Sequence, residues 1–161
     1  MRILVDITHP MHAHFFRHAL ARWQREGHAL CVTSRNKDIT WALLDEFGLE
    51  HMRIGRRARR GVAGLAVELA ERAWGLRRVV RSFRPDVAAA EAGTFLVYGC
   101  LAERVPVVVC SDTEHARVAN ALTYPLARAV ITPRAYQKSA GSRHIRYNGY
   151  QQLAYTHPAY F

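Results

Sequence analysis

The stretch Arg2-Ile3-Leu4-Val5-Asp6-Ile7-Thr8-His9-Pro10-Met11-His12-Ala13-His14 decides the fold. Its apolar residues Ile3, Leu4 and Val5 are contiguous rather than alternating. That pattern belongs to a strand covered on both faces, so residues 2–6 read as a strand inside a parallel sheet. A helix follows, with Phe16, Ala19, Leu20 and Trp23 on one face and Gly27 as its stop. Residues 29–33 form a second strand. Asn36 or Asp38 is placed to cap a helix carrying Trp41, Leu44 and Phe47, which Gly48 ends.

The same alternation continues outward. Residues 51–54 are a short third strand, and the longest helix comes next. Its residues Val62, Leu65, Leu69, Ala73, Leu76, Val80 and Phe83 recur at threes and fours and are expected to form the buried face. Glu68, Glu71, Arg72, Arg78 and Arg81 are expected on the other face. Arg84-Pro85-Asp86 breaks this helix. Strands are expected at 87–90, 107–110, 129–132 and 144–147, with helices over 94–103 and from the loop at 111–114 to about 128. Repeated β-α units with crossovers of this length imply an α/β fold, a Rossmann-like parallel sheet with helices on both faces. One domain is expected over residues 1–150, with 151–161 as the start of an interdomain linker or a C-terminal tail.

Half of the 161 residues are hydrophobic and 22% are charged, a composition that supports a packed core and excludes a disordered chain. No apolar run approaches the ~20 residues of a membrane span. Met1-Arg2 leads directly into a strand closed by Asp6, too short for a signal-peptide core, so a cytoplasmic location is expected. Cys31, Cys100 and Cys110 all lie in or beside apolar segments. An odd number without metal-ligand spacing argues against both a disulfide framework and a zinc site.

The net charge of +10 comes almost wholly from arginine, since lysine occurs only at Lys37 and Lys138. Nucleic acid, an anionic membrane surface and a phosphorylated small molecule all suit such a charge. The one dense cluster is Arg53, Arg56, Arg57, Arg59 and Arg60, interrupted by Gly55. A single loop cluster is neither an aromatic-lined platform nor a recognition helix, which argues against nucleic acid. Arg56, Arg57, Arg59 and Arg60 are instead read as a contact for a membrane surface or a phosphate, the alternative being a solvated basic loop. A location at the inner face of the membrane would go with the first reading.

Ligands of open parallel sheets bind beyond the carboxyl ends of the strands. Three loops there are chemically dense. The first holds Asp6, His9, His12 and His14. It has neither a G-x-G-x-x-G turn nor a P-loop, so no nucleotide cofactor is expected at it. A histidine titrates near neutral pH and suits a general base that takes a proton from a hydroxyl. The alternatives are histidines that only cap the turn, and a metal site built from His12 and His14 with Asp6 or His9. The spacing does not by itself converge on an ion, and no metal is assigned. The second loop is Ser111-Asp112-Thr113-Glu114-His115, where Asp112 or Thr113 is placed to cap the next helix and Glu114 and His115 face the cleft. The third is Glu91-Ala92-Gly93-Thr94. There Glu91 either meets a ligand or serves as a first-turn helix carboxylate.

The run from Asp6 to Phe16, together with Asp112-Thr113-Glu114-His115-Ala116 and Arg146-Tyr147-Asn148-Gly149-Tyr150, resembles a prokaryotic domain-of-unknown-function family. That family is related to GT-B glycosyltransferases, including the MurG type, and to hydrolysing UDP-N-acetylglucosamine 2-epimerases. Against the MurG type, Pro10-Met11 stands where a glycine pair is usual. The resemblance implies the N-terminal, acceptor-side half of a GT-B-like fold, completed by a nucleotide-sugar-binding second domain or subunit. It implies His12 or His14 as the base for an acceptor hydroxyl, oriented by Asp6. The acceptor, a sugar or a lipid-linked compound, would be held by His9, Glu91, Thr94, Asp112, Thr113, Glu114, His115 and Asn148. Two other readings are the N-terminal half of a UDP-sugar 2-epimerase and a non-enzymatic module. The module would recruit a partner, or a second copy of itself, through Tyr147, Tyr150, Tyr155, Tyr160 and Phe161.

Overall fold

The computed structural model describes residues 1–55 and 61–160. Arg56, Arg57, Arg59, Arg60 and Phe161 therefore lie outside the described residues, and with them the proposed membrane or phosphate contact. The contiguous apolar run becomes β1 (Arg2–Ile7), which pairs with β2 (Ala29–Ser34) on one side and β4 (Val87–Glu91) on the other. With β3 (Met52–Arg53), β5 (Val107–Cys110), β6 (Ala129–Pro133) and β7 (His144–Tyr147), they form a seven-stranded sheet in the order β3-β2-β1-β4-β5-β6-β7. Every pair is parallel.

Successive side chains of β1 serve opposite faces, as strand geometry requires. Ile3, Val5 and Ile7 pack with Ala13, Phe16 and Leu20 of α1 (Pro10–Arg25) and Leu44 of α2 (Thr40–Glu46). Leu4 packs on the opposite face with Leu76, Val79 and Val80 of α3 (Gly61–Phe83) and Leu96, Val97 and Cys100 of α4 (Thr94–Leu101). Both faces are thus covered, and α3 and α4 touch so closely that a Cβ at Gly99 would stand 2.6 Å from the Cβ of Leu76.

Three local expectations are corrected. Neither Asn36 nor Asp38 caps α2: its cap is Ile39, and both the N–H and the hydroxyl of Thr40 go to the Lys37 carbonyl. Helix α5 (Arg117–Thr123) starts later than the loop composition suggests and gives way to a 3-10 turn at Tyr124–Leu126. Asp112 and Thr113 do not cap it because they are used within the loop. Thr113 donates its hydroxyl to Asp112, and Asp112 also accepts from the Gln152 amide at 3.2 Å. The third correction concerns the first half of α3. There Val62 and Leu65 are exposed, while Glu68 and Arg72 are buried. Past Tyr150 the chain forms a short helix, α6 (Leu153–Thr156), whose Tyr155 meets His14 on α1, and Tyr160 beyond it stacks on His18 at 3.7 Å.

Candidate functional site

Strand order reverses between β1 and β4, since the chain builds outward from β1 to β3 before returning. The helices that follow β1 and β4 therefore leave on opposite sides, opening a crevice at the strands' carboxyl ends. A cavity of about 340 Å³ occupies it, lined by Asp6, Thr8, His9, His12, Arg35, Lys37, Glu91, Thr94 and Thr113 among others.

His12 sits in the first turn of α1. Pro10 opens that helix, and His9 caps it by accepting the Met11 N–H on Nδ1 at 3.2 Å. His12 is buried, and its Nε2 is in contact with the Glu91 carboxylate, itself buried at the end of β4. The backbone N–H of Thr8 approaches Nδ1 at 3.5 Å and the Thr8 hydroxyl lies 3.2 Å away. A backbone N–H can only donate, so Nδ1 is the acceptor and the ring proton belongs on Nε2, facing Glu91. This arrangement leaves Nδ1 as the basic nitrogen and gives a cationic ring a carboxylate partner.

Glu91 is placed by an unusual turn. Ala92 and Gly93 both have positive φ, 62° and 60°, and a Cβ on Gly93 would lie 2.9 Å from Val109 Cγ2. Only glycine fits at 93, and Ala92 carries the strain of a non-glycine residue in that region. The turn ends β4 at Glu91 and starts α4 at Thr94, whose hydroxyl pairs with that of Thr123 at 2.8 Å.

Asp6 does not orient His12. Its carboxylate takes two hydrogen bonds from Arg72 Nη2, at 2.8 and 3.0 Å, and one from Thr33 at 2.8 Å. The reason is the alternation of β1: Asp6 shares the face of Leu4, toward α3, whereas α1 covers the other face. Nor is His14 brought to the crevice. Two residues past His12 on a helix it points elsewhere, edge-on to Phe47 at 5.2 Å.

The other expected residues divide. His9, Glu91, Thr94 and Thr113 line the crevice. Glu114 lines a separate hollow beside α5, with its carboxylate held by the Gln137 N–H, while His115 and Asn148 are exposed. Sequence reasoning missed Thr8 and the supports beneath the crevice. Arg35 forks onto Glu68 at 2.6 and 2.7 Å, and the Arg35 and Arg72 guanidinium groups lie 5.2 and 4.9 Å from the centre of the Phe95 ring. Glu68 and Arg72, one helical turn apart, were the available signal.

Burial lowers the pKa of His9, with Lys37 and His12 adding to the effect. Cys110 lies opposite Glu91 in the sheet register. Burial first, then the Glu91 charge, pushes its thiol up to about 12, which leaves it a poor nucleophile. Among the described residues no group of three His, Cys, Asp or Glu side chains is placed to hold a metal ion. Among them, too, no helix is long and apolar enough to cross a membrane.

The fold is that of known enzymes with a GT-B architecture. MurG of Acinetobacter baumannii superposes with a TM-score of 0.70 at 17% identity, over 92% of this chain and 45% of that one. The UDP-GlcNAc 2-epimerase of Neisseria meningitidis, solved bound to UDP-GlcNAc, does so with a TM-score of 0.68 at 11% identity, over 82% and 40%. At the sequence level the chain is 26% identical over 157 residues to the uncharacterized protein MJ0665 of Methanocaldococcus jannaschii, covering 94% of this chain and 46% of that protein. The chain thus spans about half the length of the proteins it matches. A family profile described as protein of unknown function (DUF354) matches residues 1–157, and the chain belongs to that family.

Proposed function

We propose that this domain is the acceptor-side half of a GT-B-like glycosyltransferase in which His12 is the general base. The observation that carries the reading is the buried His12–Glu91 pair in the crevice where the strand order reverses. An acceptor hydroxyl entering beside Thr8 would displace the long Thr8 N–H contact and give its proton to His12 Nδ1 as its oxygen attacks the anomeric carbon of a sugar nucleotide. The leaving nucleotide diphosphate departs with the bonding electron pair. Glu91, rather than Asp6, orients the ring and then stabilises the imidazolium through Nε2–H. Asp6 instead holds Arg72 and so the floor of the crevice. The nucleotide sugar would be presented by a second domain or subunit, and the chain works as a transferase only together with it.

The test is turnover of UDP-N-acetylglucosamine by this chain combined with its nucleotide-sugar-binding half. His12→Ala is expected to lower turnover by ~10²–10⁴-fold, the range of general-base catalysis. Glu91→Gln should lower turnover with donor affinity unchanged. Turnover of His12→Ala within a few-fold of the parent would remove His12 from the chemistry. An epimerised sugar formed without any acceptor would favour the 2-epimerase half instead.

A further inference from the structure

A hollow of about 720 Å³ adjoins the crevice at Asn120 and plays no part in the chemistry above. One wall is α5, which presents Arg117, Asn120 and Ala121 at helical spacing, continued by Tyr124. The other is the loop after β6, Lys138-Ser139-Ala140-Gly141-Ser142-Arg143. Between them the floor is fixed by Tyr136, only 4% exposed. Its hydroxyl meets the Tyr124 hydroxyl at 3.0 Å and the Asn120 amide at 3.3 Å.

Three cations line this hollow, Arg117, Lys138 and Arg143, against one carboxylate, Glu114. The carboxylate is already held by the Gln137 N–H, and Arg143 is anchored by the Ala127 carbonyl at 2.9 Å. The Arg117 guanidinium makes no hydrogen bond or ion pair among the described residues, and the Lys138 ammonium has one long contact, to the Glu114 carbonyl at 3.4 Å. A guanidinium and an ammonium with donors to spare, beside the Ser142 hydroxyl, have the chemistry that recognises a phosphate group. The volume lies within the ~300–1,000 Å³ of small-molecule sites, well beyond what a bare anion fills.

We propose that this hollow binds a phosphate ester. Arg117 and Lys138 hold the phosphate, and its organic part lies against Tyr124, Pro125 and Ala140. The phosphate could come from a soluble sugar phosphate or from a lipid headgroup, and two arms separate these sources. In the first, glucose 1-phosphate is titrated calorimetrically into the chain at about 0.15 M salt, where exposed charges are largely screened. In the second, the chain is co-sedimented with phosphatidylcholine vesicles with and without phosphatidic acid. The expected result is binding in one arm that weakens about tenfold or more in R117A/K138A, as loss of charged hydrogen bonds predicts. Both residues are exposed or near the surface, so the double variant keeps its fold, which circular dichroism checks. Binding that survives in R117A/K138A but falls in Lys37→Ala places the phosphate in the crevice and overturns the proposal. Binding in neither arm overturns it as well.

Discussion

Asp6 and Arg72 are the most deeply buried opposite charges described, at 1% and 0% exposure. Their attraction is backed by Thr33 on the carboxylate and by the Ser34 and Ile54 carbonyls on the guanidinium. Removing one partner leaves an uncompensated buried charge, so Arg72→Met is expected to cost about 3–5 kcal/mol, whereas a matched apolar replacement of both loses less. Urea unfolding of Arg72→Met, Asp6→Leu and the double variant measures this, and a double variant as unstable as the sum of the singles contradicts it. The same pair shows what was legible at this scale. His12 is readable from the sequence because a histidine in a strand-end loop is chemically conspicuous. Its partner is not, because Asp6 and Glu91 both lie near the carboxyl ends of their strands, and only the strand's face decides which carboxylate turns toward α1.

At the scale of elements, local pattern gave the strands and missed what non-local partners impose. The contiguous Ile3-Leu4-Val5 run places β1 in the interior of the sheet, and the spacing of Leu76 and Val80 places the second half of α3 in the core. In its first half α3 runs beyond the sheet's hydrophobic layer to the strand ends. There Asp6 and Arg35 draw Arg72 and Glu68 inward and leave Val62 86% and Leu65 51% exposed. Periodicity cannot see partners from other elements. Two further elements are held by neutral histidines: Nδ1 of His9 accepts the Met11 N–H at the start of α1, and Nδ1 of His144 accepts the Ala140 N–H ahead of β7. Burial first, then neighbouring cations, lowers both pKa values below the usual 6.5. As pH falls the unfolded chain takes these protons first. The stabilisation is therefore complete above about pH 6.5 and is lost as pH drops through the window beneath it. Urea midpoints measured from about pH 7.5 to 5 should decline, and His9→Asn, which keeps a capping side chain without a titrating ring, should flatten the decline.

For the whole molecule, the formal charge of +10 has one dense cluster, over residues 53–60, and a single loop cluster is neither a recognition helix nor an aromatic-lined platform. Attraction to DNA should then be purely to its backbone. Gel-shift binding seen in dilute buffer is expected to vanish by ~0.2 M salt, and retention there would reopen nucleic acid as a partner. The sheet order also sets the tempo of folding. Asp6 and Arg72 lie 66 residues apart in the chain, and their bridge gains nothing until β1, β2 and α3 have met and shut water out. It is expected to form in the last steps of assembly, so in stopped-flow urea experiments Arg72→Met should unfold faster while refolding keeps its pace. In kinetic terms the two charges act as a latch on a completed domain: they govern how long the crevice lasts once formed, and have little say in how fast it forms.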